Sequence, residues 1–178
     1  HGGDTRYRDH VQRALGRLIE IAIHTRDFDG VEDYFAQLSR IPPSEIEATT
    51  NYYRGKYLYN RAVPTEDILR DDGTAQIDLA LLDQARTAFE AVQQGSPYYP
   101  QARYFVGVIY TLREQYPQAI EAFRRVLRAP AETEEQREVL ELTQLALGRL
   151  YYETDQLDQA VEAYQAVPRT SANFHVAL

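Results

Sequence analysis

Apolar residues recur at spacings of three and four along most of the chain, with polar residues between them. That periodicity predicts amphipathic helices rather than strands. Three stretches carry the pattern in register and align without gaps: 83–92 (Asp-Gln-Ala-Arg-Thr-Ala-Phe-Glu-Ala-Val), 117–126 (Pro-Gln-Ala-Ile-Glu-Ala-Phe-Arg-Arg-Val) and 158–167 (Asp-Gln-Ala-Val-Glu-Ala-Tyr-Gln-Ala-Val). Ala85 and Ala119 are 34 positions apart, as are Phe89 and Phe123, whereas Ala119 to Ala160 is 41. The polar stretch around Thr133–Arg137 accounts for the longer third spacing. Repeats of 20–50 residues are the signature of arrays in which one supersecondary unit is stacked many times.

A second apolar element precedes each of these stretches: Tyr52–Tyr59, Tyr104–Tyr110 and Leu145–Tyr151. Gly107 to Ala119 and Gly148 to Ala160 are both 12 positions, while Gly55 to Ala85 is 30. A glycine inside a helix costs about 1 kcal/mol relative to alanine, so tight packing must compensate. The small residues let two antiparallel helices approach closely, and the rings of Tyr110 and Phe123, or Tyr151 and Tyr164, fill the space around that contact. Pro117 fits a first helical turn, where its missing N–H is harmless. One such hairpin cannot bury its outer face, so neighbouring hairpins must stack.

The N-terminal part supplies a more degenerate hairpin over 8–41. Val11, Ala14, Leu15, Leu18, Ile19 and Ala22 form one apolar face, and Asp29–Ala36 follows as the second helix, with Gly30 and Tyr34 at the small and aromatic positions. Ile41-Pro42-Pro43 ends that helix, because proline cannot continue it. The remaining organisation is a repeat at 46–95 with an insertion at 62–78, a repeat at 100–129, a repeat at 139–168, and the start of a further or capping helix at 170–178. All of it falls in one domain, 1–178, of eight main helices with a ninth begun. The insertion carries the turn signal Asp71-Asp72-Gly73. It lacks the alternating oxygen ligands and late bidentate Glu of a calcium loop, so a surface insertion is favoured over calcium binding. A lip over a binding groove is the functional alternative.

This pattern resembles the tetratricopeptide repeat, which has a small residue at position eight, an aromatic at eleven, Ala at twenty and an aromatic at twenty-four. Gly107, Tyr110, Ala119 and Phe123 match all four, as do Gly148, Tyr151, Ala160 and Tyr164. The copy containing Gly55 departs at position eleven, which holds Leu58. The resemblance covers roughly residues 8–168. It implies an all-α fold, a right-handed α-solenoid of stacked antiparallel helix pairs, and a concave face lined by the first helix of each pair. Carried onto this chain, the groove-facing positions are Tyr52, Lys56 and Tyr59 (with Thr49 and Asn60), then Tyr104, Val108 and Thr111 (with Gln101 and Leu112), then Leu145, Arg149 and Tyr152 (with Leu142 and Glu153). Tyr offers a large contact area with a polar tip and little entropy loss. Tyr53, Tyr57, Tyr110, Tyr151 and Tyr164 are expected in the core instead. Chaperone-binding members clamp a C-terminal carboxylate with Lys, Asn and Arg. The matching positions here hold Tyr52, Lys56, Phe105, Leu142 and Ala146, so such a clamp is not expected. The segment Ser96–Ala102 with its hairpin is similar to bacterial cell-envelope repeat proteins. It favours a periplasmic or envelope-associated location, with the cytoplasm as the alternative.

Composition narrows the chemistry. Of the 178 residues, 19 are Lys or Arg and 27 are Asp or Glu, for a net charge of −8, which argues against nucleic acid as the main partner. There is no Cys, which removes thiolate metal sites and cysteine nucleophiles. There is also no Met, and the chain begins His1-Gly2-Gly3, so it reads as a processed or excised piece of a longer protein. Lys56 is the sole lysine, a bias that fits a GC-rich bacterial genome. No apolar run approaches the roughly 20 residues of a membrane span. The four histidines, His1, His10, His24 and His175, form no metal-binding motif, and there is no glycine-rich phosphate loop. His24 suits packing or a helix C-terminus. The expectation is therefore a non-catalytic adaptor or scaffold without metal or cofactor, gripping a protein or peptide segment. A rigid spacer or self-associating domain is the alternative, and homo-oligomers fit either reading.

Overall fold

The computed structural model describes residues 2–41, 43–64, 77–169 and 171. These form eight helices and no strand: α1 (Gly2–Thr25), α2 (Val31–Leu38), α3 (Pro43–Ala62), α4 (Leu79–Glu90), α5 (Tyr99–Leu112), α6 (Tyr116–Leu127), α7 (Glu134–Glu153) and α8 (Leu157–Gln165). The all-helical class read from the periodicity is the one observed. Packing divides the chain into two compact units, His1–Tyr98 and Tyr99–Leu178. The turn signal at 71–73 and the helix expected after 171 lie outside the described residues.

In the first unit α1 packs on α2 and α3, and α3 packs on α4. Leu15, Ile19 and Ala22 of α1 are buried with Val31, Phe35 and Leu38 of α2. Leu18 and Ala14, expected on the same face, are exposed and share an outer stripe with Ile21. Gly30 does not act as the small packing residue. It stands before α2 with φ of 75°, and an added Cβ would meet nothing within 4 Å. Its role is to reverse the chain, which glycine does in the left-handed region without steric cost. Arg26, also left-handed, donates from Nη2 to the carbonyls of Asn60 (2.7 Å) and Val63 (3.1 Å), closing the last turn of α3. Asp78, at the end of the expected insertion, caps α4 by accepting from the amides of Ala80 and Leu81 at 2.9 and 3.0 Å.

In the second unit α5 packs on α6 and α7, α6 on α7, and α7 on α8. The core joins Ala119 and Phe123 to Leu147, Leu150, Tyr151, Ala160 and Ala163. Thr133 caps α7 in a reciprocal box with Gln136, the two side chains bonding each other's backbone amides. The polar stretch that lengthens the third spacing is therefore helical: α7 has 20 residues against 14 in α5. The α5–α6 and α7–α8 turns share one closure. Gln115 N–H donates to Tyr110 O (2.9 Å) and Glu114 N–H to Thr111 O (2.9 Å), matched by Gln156 to Tyr151 (2.8 Å) and Asp155 to Tyr152 (3.2 Å). This is the Schellman pattern, with Glu114 and Asp155 at the left-handed position that usually holds glycine.

The small residues do what their spacing predicts. A Cβ at Gly107 would lie 2.5 Å from Phe123 Cδ1, one at Gly148 2.6 Å from Tyr164 Cε1, and one at Gly55 2.6 Å from Phe89 Cδ1. Phe89 and Phe123 are at most 1% exposed and have nowhere to retreat. Gly107→Ala gains about 1 kcal/mol of helix propensity but overpacks the core at about 1–3 kcal/mol. The expected outcome is a net loss of about 1–2 kcal/mol in urea unfolding, while Gly95→Ala, with nothing within 4 Å of its added Cβ, loses little. An equal effect at both positions would contradict the packing role. Glu114→Gly relieves about 1–2 kcal/mol of left-handed strain against about 0.4–1 kcal/mol of added chain entropy. A rise of about 0.5–1 kcal/mol in unfolding free energy is expected from the same measurement.

Candidate functional site

The first helices of the pairs, α3 in one unit and α5 and α7 in the other, carry the residues expected to face a partner. In the second unit, α5 supplies Val108, Thr111 and Leu112 and α7 supplies Ala146, Arg149, Leu150 and Glu153 to one cavity of about 190 Å3, floored by Phe123 of α6. The hydroxyl of Thr111 donates to the Gly107 carbonyl at 3.0 Å. Among the described residues Arg149 and Glu153 join no ion pair, and both are exposed at the rim. Tyr104 packs edge-on to Phe105 and at 5.8 Å from Phe123. Burial holds its phenol above the ordinary tyrosine value, and the nearby Arg149 charge opposes the shift.

Three of the sequence-predicted residues, Val108, Thr111 and Arg149, thus meet at one cavity, with Tyr104 beside its floor. Leu145 is 5% exposed and belongs to the buried face of α7. Tyr152 is 65% exposed and is not part of the cavity wall.

In the first unit Tyr52 is only 8% exposed, its ring stacked on Tyr98 with centroids 4.7 Å apart and planes 12° from parallel. Lys56 sits over the Tyr52 ring at 5.6 Å, and burial lowers its pKa against the opposing charge of Glu20. Tyr59 and Asn60 are half-buried in the last turns of α3. A second cavity, of about 290 Å3, is lined by Gln12, Arg13, Arg17 and Glu20 of α1, Thr49 and Tyr53 of α3, and Tyr98. It is polar and internally bonded. Gln12 donates to Thr49 (2.9 Å), Tyr53 to Glu20 (3.3 Å), and Arg17 pairs with Glu20 (3.1 Å). The α1 residues were missed in the sequence because the first hairpin departs from the repeat pattern. The signal was present as polar positions beside the Leu15–Ile19–Ala22 face.

Tyr53, Tyr57 and Tyr151 are buried, and Tyr110 and Tyr164 half-buried. His10 and His24 are exposed, and His1 and His175 lie outside the described residues. Among the described residues no three metal-capable side chains converge, and no helix is long and apolar enough to cross a membrane.

Stacked antiparallel pairs closed by a ring on a small residue define a helical-repeat protein. Two family models, each described as tetratricopeptide repeat, match residues 71–132 and 143–170. The chain is a tetratricopeptide repeat protein. The first match runs across α4, α5 and α6, and the second across most of α7 and all of α8. No curated protein and no solved structure matches the chain. Tetratricopeptide repeats generally mediate protein–protein interactions and are generally non-catalytic.

Burial raises the phenols of Tyr52 and Tyr53 well above the ordinary 10.0, with the Glu20 carboxylate and Tyr98 adding to it. The folded state therefore holds these protons more tightly than the unfolded chain does. Their contribution is complete below pH 10 and is lost as pH rises above it. With a single Lys in the chain, tyrosines dominate this alkaline range. The urea midpoint should fall as pH is raised through and beyond 10, and less steeply in Tyr52→Phe/Tyr53→Phe. Identical slopes would show that neither phenol is linked to folding.

Proposed function

We propose that this chain is a non-catalytic adaptor that holds a segment of a partner protein against the first-helix face of its repeats. The observation that carries this reading is the cavity between α5 and α7, where Val108, Thr111 and Arg149 converge over a Phe123 floor. An apolar depression with a few polar groups at its edge is the form small binding sites take. The walls stand on helices fixed by buried rings, so little ordering entropy is lost on binding. Tyr104 beside the floor and exposed Tyr152 on α7 extend the surface with the residue type enriched at interfaces. In the first unit, Lys56 and Tyr59 on α3 and the polar cavity around Glu20 offer a separate, hydrogen-bonding surface.

The test is site-specific photocrosslinking in the cells that make the protein. A benzoylphenylalanine replaces Glu153 at the cavity rim or, as control, exposed Gln159 on α8. A discrete protein adduct from position 153 and none from 159 is expected. Adducts with another copy of the same chain would favour the self-association reading. No adduct at 153 would point to a rigid spacer and sink the adaptor assignment.

A further inference from the structure

The cavity between α5 and α7 specifies more than a generic partner. Its volume is about 190 Å3. A cavity of about 150 Å3 lined by aliphatic and aromatic side chains holds one benzene molecule, so this one takes a single apolar side chain, up to the size of a phenyl ring, and not two. Its lining is mainly hydrocarbon. Val108, Ala146, Leu150 and Phe123 are hydrocarbon, and the Thr111 hydroxyl gives its proton to the Gly107 carbonyl.

Among the described residues the charges on the wall are Arg149 and Glu153, one helical turn apart on α7. Neither has an ion-pair partner among the described residues. A wholly apolar ligand would strip water from both charges and leave each only the other, one turn away on α7. A ligand carrying one sign of charge would satisfy one and oppose the other. Only a segment bearing both signs complements the rim.

We infer that the partner is a protein segment with one apolar anchor residue, which enters the cavity between α5 and α7, flanked by an acidic residue that pairs with Arg149 and a basic residue that pairs with Glu153. This rests on the adaptor reading above and names the chemistry of the segment that the adaptor holds.

The experiment is selection from a displayed library of random peptides, with the full chain as bait. Three baits are compared: the unaltered protein, Ala146→Phe, which places a ring in the cavity, and the exposed-site double variant Arg149→Glu/Glu153→Arg, which exchanges the rim charges. Far-ultraviolet circular dichroism verifies that each is folded. The unaltered chain should enrich peptides with one Leu, Ile, Met or Phe anchor between an acidic and a basic residue. Ala146→Phe should weaken binding of those peptides at least tenfold. The exchanged variant should recover peptides whose acidic and basic positions are inverted about the anchor. If Ala146→Phe does not fold, the exchanged variant decides alone. The inference is overturned by enrichment of peptides with one sign of charge, by an unchanged charge order in the exchanged variant, or by no enrichment at all. A partner crosslinked at position 153 alongside any of those results would leave the adaptor reading standing and remove only this one. Absence of both crosslink and enrichment would remove both.

Discussion

The close approach of an aromatic ring to a bare helix backbone is the contact on which the α3–α4, α5–α6 and α7–α8 pairs depend. Gly55, Gly107 and Gly148 each lie under a ring from the second helix of the pair, Phe89, Phe123 and Tyr164. The contact also reaches the candidate site. Gly107 receives Phe123 where its side chain would be, and its carbonyl accepts the Thr111 hydroxyl one turn on. Phe123 in turn floors the cavity. Gly107 thus fixes the distance between two helices and takes a hydroxyl proton, while the ring it admits sets the depth of the pocket. Packing and recognition share atoms here, which is why the wall is rigid without being built for rigidity.

The two first-helix surfaces differ in physical character. Around Glu20 the groups satisfy one another: Tyr53 donates to it, Arg17 pairs with it, and Lys56 feels its charge. Such a network is costly to disturb once its members are desolvated. Between α5 and α7 the interior is apolar and the charges stand at the edge, where water satisfies them until a ligand replaces it. The first arrangement favours internal order, and the second leaves free energy available for association.

Much of the fold was legible because a strict repeat multiplies a weak signal. Glycine, ring and alanine at fixed offsets identify a hairpin even where individual positions depart, as Leu58 does. What was not legible depended on context that the offsets do not carry. Tyr52 occupies a groove position by register, yet Tyr98, 46 positions later, stacks on it and takes it inside. Leu145 shares a helix with Arg149 but faces the core, because α7 turns its buried side there. Gly30 resembled a packing glycine only because composition cannot distinguish a residue under a ring from one in a left-handed turn. Val108, Thr111 and Arg149 were readable as neighbours because each follows its own repeat's glycine by a short helical interval. The α1 side of the polar cavity was not, since its hairpin lacks the offsets that set the register.

The matching closures at Glu114 and Asp155 have a consequence of another kind. In both turns the chain reverses through two main-chain hydrogen bonds, donated by the amides of Glu114 and Gln115 and of Asp155 and Gln156. Those two bonds join main chain to main chain, so the angle between the joined helices is set by the left-handed backbone step at Glu114 and Asp155. The surface at each turn is therefore open to change in charge, among residues that tolerate a left-handed backbone, while the helix pair beneath it keeps its geometry. Within that backbone constraint, these two joints are places where the protein can acquire new surface charge without relearning how to fold.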